Sequence, residues 1–199
     1  MSMDPTDPGF WDVRYEAGRT PWEFPGVPAP LARFLARHPG HGARVLIPGC
    51  GSAHELPAFA AAGYVPTAVD FSTAAVARAR ATLPPHLEPC LLAADFFLHP
   101  FPPAPFDLIY ERTFLCALPP SRWPAVGERC ARLLRPGGRL IGLFFHGPKE
   151  DGPPFGLAPD EAGQLFGGAF EQLHDEPVPA AESAPLFAGQ ERWQEWRRR

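Results

Sequence analysis

The chain has 199 residues, 45% of them hydrophobic and 20% charged, with a net charge of −4. That size and balance fit one folded domain, residues 1–199, with a sizeable core, and the acidic balance argues against a phosphate-backbone partner. No run approaches the roughly 18 apolar residues of a membrane span, and no signal-peptide core opens the chain, so a cytoplasmic protein without a nucleic-acid or membrane partner is expected.

The first apolar pattern, at residues 31, 34 and 35, predicts a short helix over 31–35. Residues 44–48 form the first buried strand, running into Gly49-Cys50-Gly51. A crossover helix over 53–62 closes at Gly63, a helix C-cap. Residues 65–70 give strand two, with Pro66 tolerated at a strand start. Ser72 caps a helix over 73–83. Strand three is predicted over 87–93, ending near Asp95, and strand four over 106–110, ending at Glu111 and Arg112. A helix over 121–134 stops at Arg135-Pro136-Gly137-Gly138, and strand five follows over 139–145. A short helix over 160–166 and strands over 170–176 and 192–197 complete the order. The 28 prolines cluster at 21–30, 100–105, 119–124, 148–154 and 177–185, between the elements, where they stiffen connections.

Strands alternating with helices predict a Rossmann-like, doubly wound α/β fold. It would hold a seven-stranded, mostly parallel sheet with helices on both faces and an antiparallel last strand. Ligands in such sheets bind beyond the carboxyl ends of the strands. Those ends carry Gly49–Gly51, Asp70, Asp95, Glu111, Arg112 and His146.

The Gly49-Cys50-Gly51 turn with Asp70 nineteen residues on is a nucleoside-binding arrangement. The glycines let backbone approach a ligand closely, and an acid can accept hydrogen bonds from ribose hydroxyls. The dinucleotide pattern G-x-G-x-x-G requires a glycine at position 54, where this chain has His54. That departure favours S-adenosylmethionine (SAM), which has no pyrophosphate, over NAD or FAD. The four cysteines, Cys50, Cys90, Cys116 and Cys130, lack metal-ligand spacing, so no metal is expected and the thiols read as buried in a reducing compartment.

Four segments carry a finer resemblance. Trp11-Asp12-Val13-Arg14-Tyr15 with Thr20-Pro21-Trp22, the Pro48-Gly49-Cys50-Gly51 turn, Glu111-Arg112-Thr113-Phe114-Leu115-Cys116-Ala117, and Gly152-Pro153-Pro154-Phe155 together resemble the thiopurine methyltransferase-like family. That family includes thiol, thiocyanate and halide methyltransferases of class I. Over about residues 10–197, the resemblance implies methyl transfer from SAM to a small soft nucleophile, leaving S-adenosylhomocysteine. It implies an aromatic cover over residues 10–30, with Trp11, Tyr15 and Trp22 above the cofactor. Gly49, Cys50 and Gly51 would border its methionine part. Asp70, with Phe71 and Ser72 beside it, would hold the ribose, and Asp95 and Phe96 would flank the adenine. Glu111 and Arg112 would lie near the methionine end and the acceptor. Tyr15 stands where many relatives carry Trp.

Two catalytic roles are expected in that frame. Arg112 can hold an anionic acceptor, or else form a salt bridge with an acid. His146 can take a thiol proton near neutral pH, or else serve as a loop or capping histidine. Phe114, Phe145 and Phe155 are candidates for an apolar acceptor wall. The acceptor itself stays open between thiols, hydrosulfide, thiocyanate and halides on one side and thiopurines, aromatic thiols or selenium and tellurium species on the other. A non-catalytic SAM-binding module is the alternative outside enzymes, and a monomer is expected.

Overall fold

A computed structural model describes residues 4–24, 26–148, 150, 152–187 and 189–199. Met1, Ser2 and Met3, part of the Pro-rich N-terminus, lie outside the described residues, as does Pro25 within the expected cover. Seven strands form one sheet: β1 (Arg44–Pro48), β2 (Val65–Asp70), β3 (Leu91–Ala93), β4 (Phe106–Arg112), β5 (Leu134–Phe145), β6 (Phe170–Pro177) and β7 (Glu191–Arg198). Their order is β3-β2-β1-β4-β5-β7-β6. The pairs from β3 through β5 are parallel, and β7 runs antiparallel to both β5 and β6. The expected doubly wound sheet with an antiparallel last strand is therefore the observed one.

The helices are α1 (Pro8–Glu16), α2 (Ala29–Arg37), α3 (Leu56–Ala61), α4 (Thr73–Thr82), α5 (Trp123–Leu133) and α6 (Glu161–Phe166). They bury two separate cores. Leu31 and Phe34 of α2, Leu56 and Phe59 of α3, and Val76 and Ala79 of α4 pack on one sheet face with Val45, Ile47 and Tyr110. Trp123, Val126 and Cys130 of α5 and Phe166 of α6 pack on the other with Leu46, Val69 and Ile109. Successive strand residues divide between these cores because side chains alternate across a sheet.

Several boundaries differ from the sequence expectation, each for a local reason. Residues 85–90 form a 3-10 turn, Pro85–Cys90, so β3 begins only at Leu91. Pro89 has no N–H for a strand ladder and fixes its own φ. The first crossover helix starts at Leu56, because Ala53 takes a left-handed φ of 53° in the turn after β1. The helix expected from 121 starts at Trp123, after a 3-10 turn over Pro120–Arg122. Strand five begins at Leu134, through the Pro-Gly-Gly run, and its partner β4 absorbs a register shift between Phe106 and Leu108. The helix expected over 31–35 extends to nine residues, opened by prolines at its first turn.

Candidate active site

The turn after β1 enters the left-handed region at Gly49 (φ +56°), Gly51 (φ +52°) and Ala53 (φ +53°). Only glycine does so without strain. A Cβ on Gly49 would collide with the Phe114 ring, and one on Gly51 with the Tyr15 hydroxyl. Asp70, the last residue of β2, ties this turn in place. Its Oδ2 accepts from the Gly51 N–H at 2.9 Å and its Oδ1 from the Ser72 N–H at 2.9 Å. Burial pushes the Asp70 carboxyl up to about 6, against the lowering pull of those backbone donors.

Above the turn lies α1, started by Asp7 as N-cap and Pro8 in its first turn. Trp11 and Tyr15 fall on one helical face. Trp22 meets both edge-on, with ring centroids 5.4 Å from Trp11 and 5.9 Å from Tyr15. Its indole N–H donates to the Tyr15 hydroxyl at 3.3 Å. Asp12 fastens α1 to the start of α4. Its Oδ1 accepts from the Ser72 hydroxyl at 2.6 Å and the Ala74 N–H at 3.0 Å.

Between this cover and the strand ends is a cavity of about 630 Å³. Trp11, Tyr15, Trp22, Gly49, Cys50, Gly51, Asp70, Phe71, Asp95, Phe96 and Arg112 all line it. Among the described residues, five buried side-chain polar atoms have no hydrogen-bond partner: Glu23 Oε1, Ser52 Oγ, Tyr110 Oη, Glu111 Oε2 and Arg112 Nε. All but Glu111 belong to residues that line this cavity. Buried polar groups are normally satisfied, so unpartnered atoms on residues around one cavity single out that cavity as a candidate ligand site.

Arg112 pairs with Glu55 at 2.8 Å, with side chains only 9% and 8% exposed. The Phe24 ring lies 5.5 Å from its guanidinium. Desolvation of Arg112 is outweighed by Glu55 and the other surrounding groups, so its pKa rises and the cation is kept. Asp95 spends an oxygen on its own turn, accepting from the Phe97 N–H at 2.6 Å. Phe96 packs edge-on against Phe114.

Three expected site residues sit elsewhere. Ser72 does not line the cavity, because its hydroxyl both caps α4 at Ala75 and donates to Asp12. Glu111 is buried behind the wall, where its Oε1 accepts from the N–H groups of Phe114 (3.1 Å) and Leu115 (2.9 Å). It thereby shapes the turn that presents Thr113 and Phe114 to the cavity. Burial pushes Glu111 up to about 8. His146 also lies off the cavity. Its N–H donates to the Gln190 carbonyl at 2.8 Å, and its ring faces Gln194 at 3.4 Å. Burial lowers its pKa. Phe145 and Phe155 line a small space beside Glu111, while Phe114 alone of the three phenylalanines reaches the main cavity.

The Cys50 thiol is raised well above its usual value by desolvation and then by Asp70 and Glu55, so it stays protonated. Residues the sequence reading missed are Asp12, Glu23 and Glu55. Asp12 lies between the two aromatic positions of α1, and Glu55 four residues beyond Gly51; their acidity beside those motifs was the available signal.

Solved structures share this architecture. A Burkholderia thailandensis 1,6-didemethyltoxoflavin-N1-methyltransferase, crystallised with S-adenosylhomocysteine, superposes with a TM-score of 0.73 at 20% identity, covering 96% of this chain and 86% of that one. The fold is that of class I SAM-dependent methyltransferases. The model of the thiopurine S-methyltransferase family matches residues 6–199. A probable thiol methyltransferase 2 of Arabidopsis thaliana is 35% identical over 164 residues, 80% of this chain and 72% of that protein. A thiopurine S-methyltransferase of Pseudomonas fluorescens (strain SBW25) is 32% identical over 183 residues, 81% of this chain and 82% of that protein. The chain belongs to the thiopurine S-methyltransferase family, and is a SAM-dependent S-methyltransferase.

Proposed function

We propose that this chain methylates a small soft nucleophile, a thiol, hydrosulfide, thiocyanate or halide, in the cavity beneath residues 10–30. The observation that carries this reading is the set of orphaned polar atoms on the wall of one cavity at the carboxyl ends of β1, β2 and β4. The cavity volume falls within the range of about 300–1,000 Å³ that small-molecule sites occupy. A probable thiol methyltransferase and thiocyanate methyltransferases among the relatives support the sulfur acceptor.

SAM fits the groups present. Asp70 would accept from the ribose hydroxyls, Gly49, Cys50 and Gly51 would border the methionine part, and Asp95 and Phe96 would flank the adenine. Trp11, Tyr15 and Trp22 close the site, and their aromatic faces stabilise a soft cation. When bound, SAM would supply a sulfonium-activated methyl carbon open to in-line attack by an acceptor lone pair, the S–CH3 bond breaking so that neutral S-adenosylhomocysteine leaves. The cover excludes water and so strengthens every electrostatic contact inside. Arg112 lines the acceptor side and offers an unpartnered Nε–H to an electron-rich atom. His146 lies off the cavity and takes no part in this scheme, in which the acceptor enters already ionised or as a preformed anion.

Among the described residues, the exposed apolar side chains of Val65 on β2 and Leu173 on β6 lie toward opposite ends of the strand order and so share no patch, in keeping with a monomer. The four cysteines are free, as a reducing, cytoplasmic compartment would leave them.

The test is SAM turnover against iodide, thiocyanate, hydrosulfide, a small aromatic thiol and a thiopurine, with S-adenosylhomocysteine as the common readout. Turnover with the small anions or hydrosulfide is expected. Turnover confined to thiopurines and aromatic thiols overturns the small-acceptor reading, and absence of SAM binding overturns the cofactor site.

A further inference from the structure

Glu23 belongs to the cover segment, immediately after Trp22, yet its carboxylate reaches down to the glycine turn. One oxygen is fully engaged. Oε2 accepts from the Thr20 hydroxyl at 2.7 Å and lies 3.2 Å from Arg78 Nη2 on α4. The other, Oε1, is buried and has no hydrogen-bond partner. His54 Nε2 lies 3.8 Å from it, beyond hydrogen-bond reach. Oε1 stands 3.9 Å from where a Cβ of Gly51 would lie, beside the Tyr15 hydroxyl. A carboxylate oxygen held by its partner oxygen, desolvated, and aimed over a glycine that leaves room for a ligand is a receptor for a positively charged donor. Leaving such an oxygen unpaired is costly.

We propose that Glu23 Oε1 receives the α-ammonium group of the cofactor's amino acid end. This rests on the reading of the cavity as the SAM site given above. The Tyr15 hydroxyl, which faces the same space over Gly51 as Glu23 Oε1, is well placed for the neighbouring carboxylate of that amino acid end. Burial and Asp70 hold that phenol protonated and hence a donor. Because Glu23 is tied to α4 through Arg78, one residue joins the cover, the helix and the cofactor charge. The cover then closes on a ligand that carries the amino acid part and gains less from one that lacks it.

The experiment is calorimetric or tryptophan-fluorescence titration of the wild type and Glu23→Gln with three ligands. These are S-adenosylhomocysteine, its analogue with hydrogen in place of the α-amino group, and 5′-methylthioadenosine, which lacks the amino acid part. None carries a sulfonium, so the ammonium contact is read alone. Glu23→Gln is expected to weaken S-adenosylhomocysteine about tenfold or more, and to leave the other two within about twofold. The unchanged 5′-methylthioadenosine affinity also reports that the variant is folded. Equal weakening of all three ligands, or no weakening of any, overturns the ammonium assignment while leaving the SAM site intact. Failure of the wild type to bind S-adenosylhomocysteine overturns the SAM reading itself and the ammonium assignment with it.

Discussion

The Ser72 hydroxyl donates to Asp12 Oδ1 at 2.6 Å, joining the capping residue of α4 to the cover helix α1 across 60 residues of sequence. The same oxygen accepts from the Ala74 N–H at 3.0 Å. A carboxylate is thus seated on the first turn of α4, where unsatisfied N–H groups and the helix dipole favour negative charge. The latch lies just outside the cavity, next to Asp70, so the position of the cover is set from the same short segment that ends β2.

Replacing Asp12 tests that latch. Asp12→Ala removes two charge-assisted hydrogen bonds, each worth about 1.5–3 kcal/mol where desolvated. S-adenosylhomocysteine affinity is expected to fall at least about fivefold, with a lower melting temperature and faster proteolytic cleavage within residues 10–30. Affinity equal to the wild type in a folded Asp12→Ala variant shows that the cover holds without this contact.

The Glu55–Arg112 pair leads to a second expectation. Both side chains are almost fully buried, and breaking such a pair leaves one charge uncompensated, at about 3–5 kcal/mol. Urea denaturation is expected to show Glu55→Ala strongly destabilised, and Glu55→Leu combined with Arg112→Met less destabilised than the sum of the single changes. In turnover assays, Arg112→Ala is expected to lower methyl transfer more than S-adenosylhomocysteine affinity. Equal losses in both place Arg112 at the cofactor and not at the acceptor.

Cofactor affinity is expected to depend on pH through Asp70. Burial raises its folded-state pKa to about 6, and ribose hydroxyls donate more strongly to the ionised form. Binding therefore favours loss of a proton. Affinity rises as pH climbs to about 6 and levels above it, with a slope of at most about tenfold per pH unit. Asp70→Asn is expected to flatten that profile, and Asp70→Ala to lose about tenfold or more at neutral pH. A wild-type profile flat from pH 5 to 8 removes Asp70 from the ribose.

The glycine turn, Asp70 and the aromatic pair of α1 were legible in the sequence because local spacing alone dictates them. Gly49 and Gly51 occupy left-handed backbone, and Asp70 must end the neighbouring parallel strand. What stayed hidden depends on distance in sequence or on one-residue phase. Glu55 and Arg112 are 57 residues apart, so their pairing needs the fold to be known. His146 follows a strand that ends at Phe145 as expected, yet its N–H still pairs toward Gln190, and its ring faces Gln194 and not the cavity. One residue earlier, Phe145 packs on Phe187 of the cavity wall, with centroids 5.2 Å apart. Strand three is shorter than the 87–93 expected, because the apolar pattern of Leu87, Leu91 and Leu92 is interrupted by Pro89, which sits in the Pro85–Cys90 turn.

Glu111 supplies a pH dependence of stability with a definite sign. Burial raises its folded-state pKa to about 8, against the N–H donors of Leu115 and Phe114, and the nearby Glu191 adds to the rise. The unfolded chain releases this proton near the ordinary value of 4.5. Between those pH values the native protein binds a proton that the unfolded chain has lost, so stability falls with pH, by at most about 1.4 kcal/mol per unit. The contribution is fully present below about pH 4.5 and is lost as pH rises through about 8. Glu111→Gln keeps a carbonyl oxygen for the Phe114 and Leu115 N–H groups and cannot ionise. Urea denaturation at pH 5 and pH 8 is expected to show the variant gaining on the wild type at the higher pH. Parallel stability profiles would show that Glu111 is ionised inside the folded protein and that its unpartnered oxygen meets a cation or water.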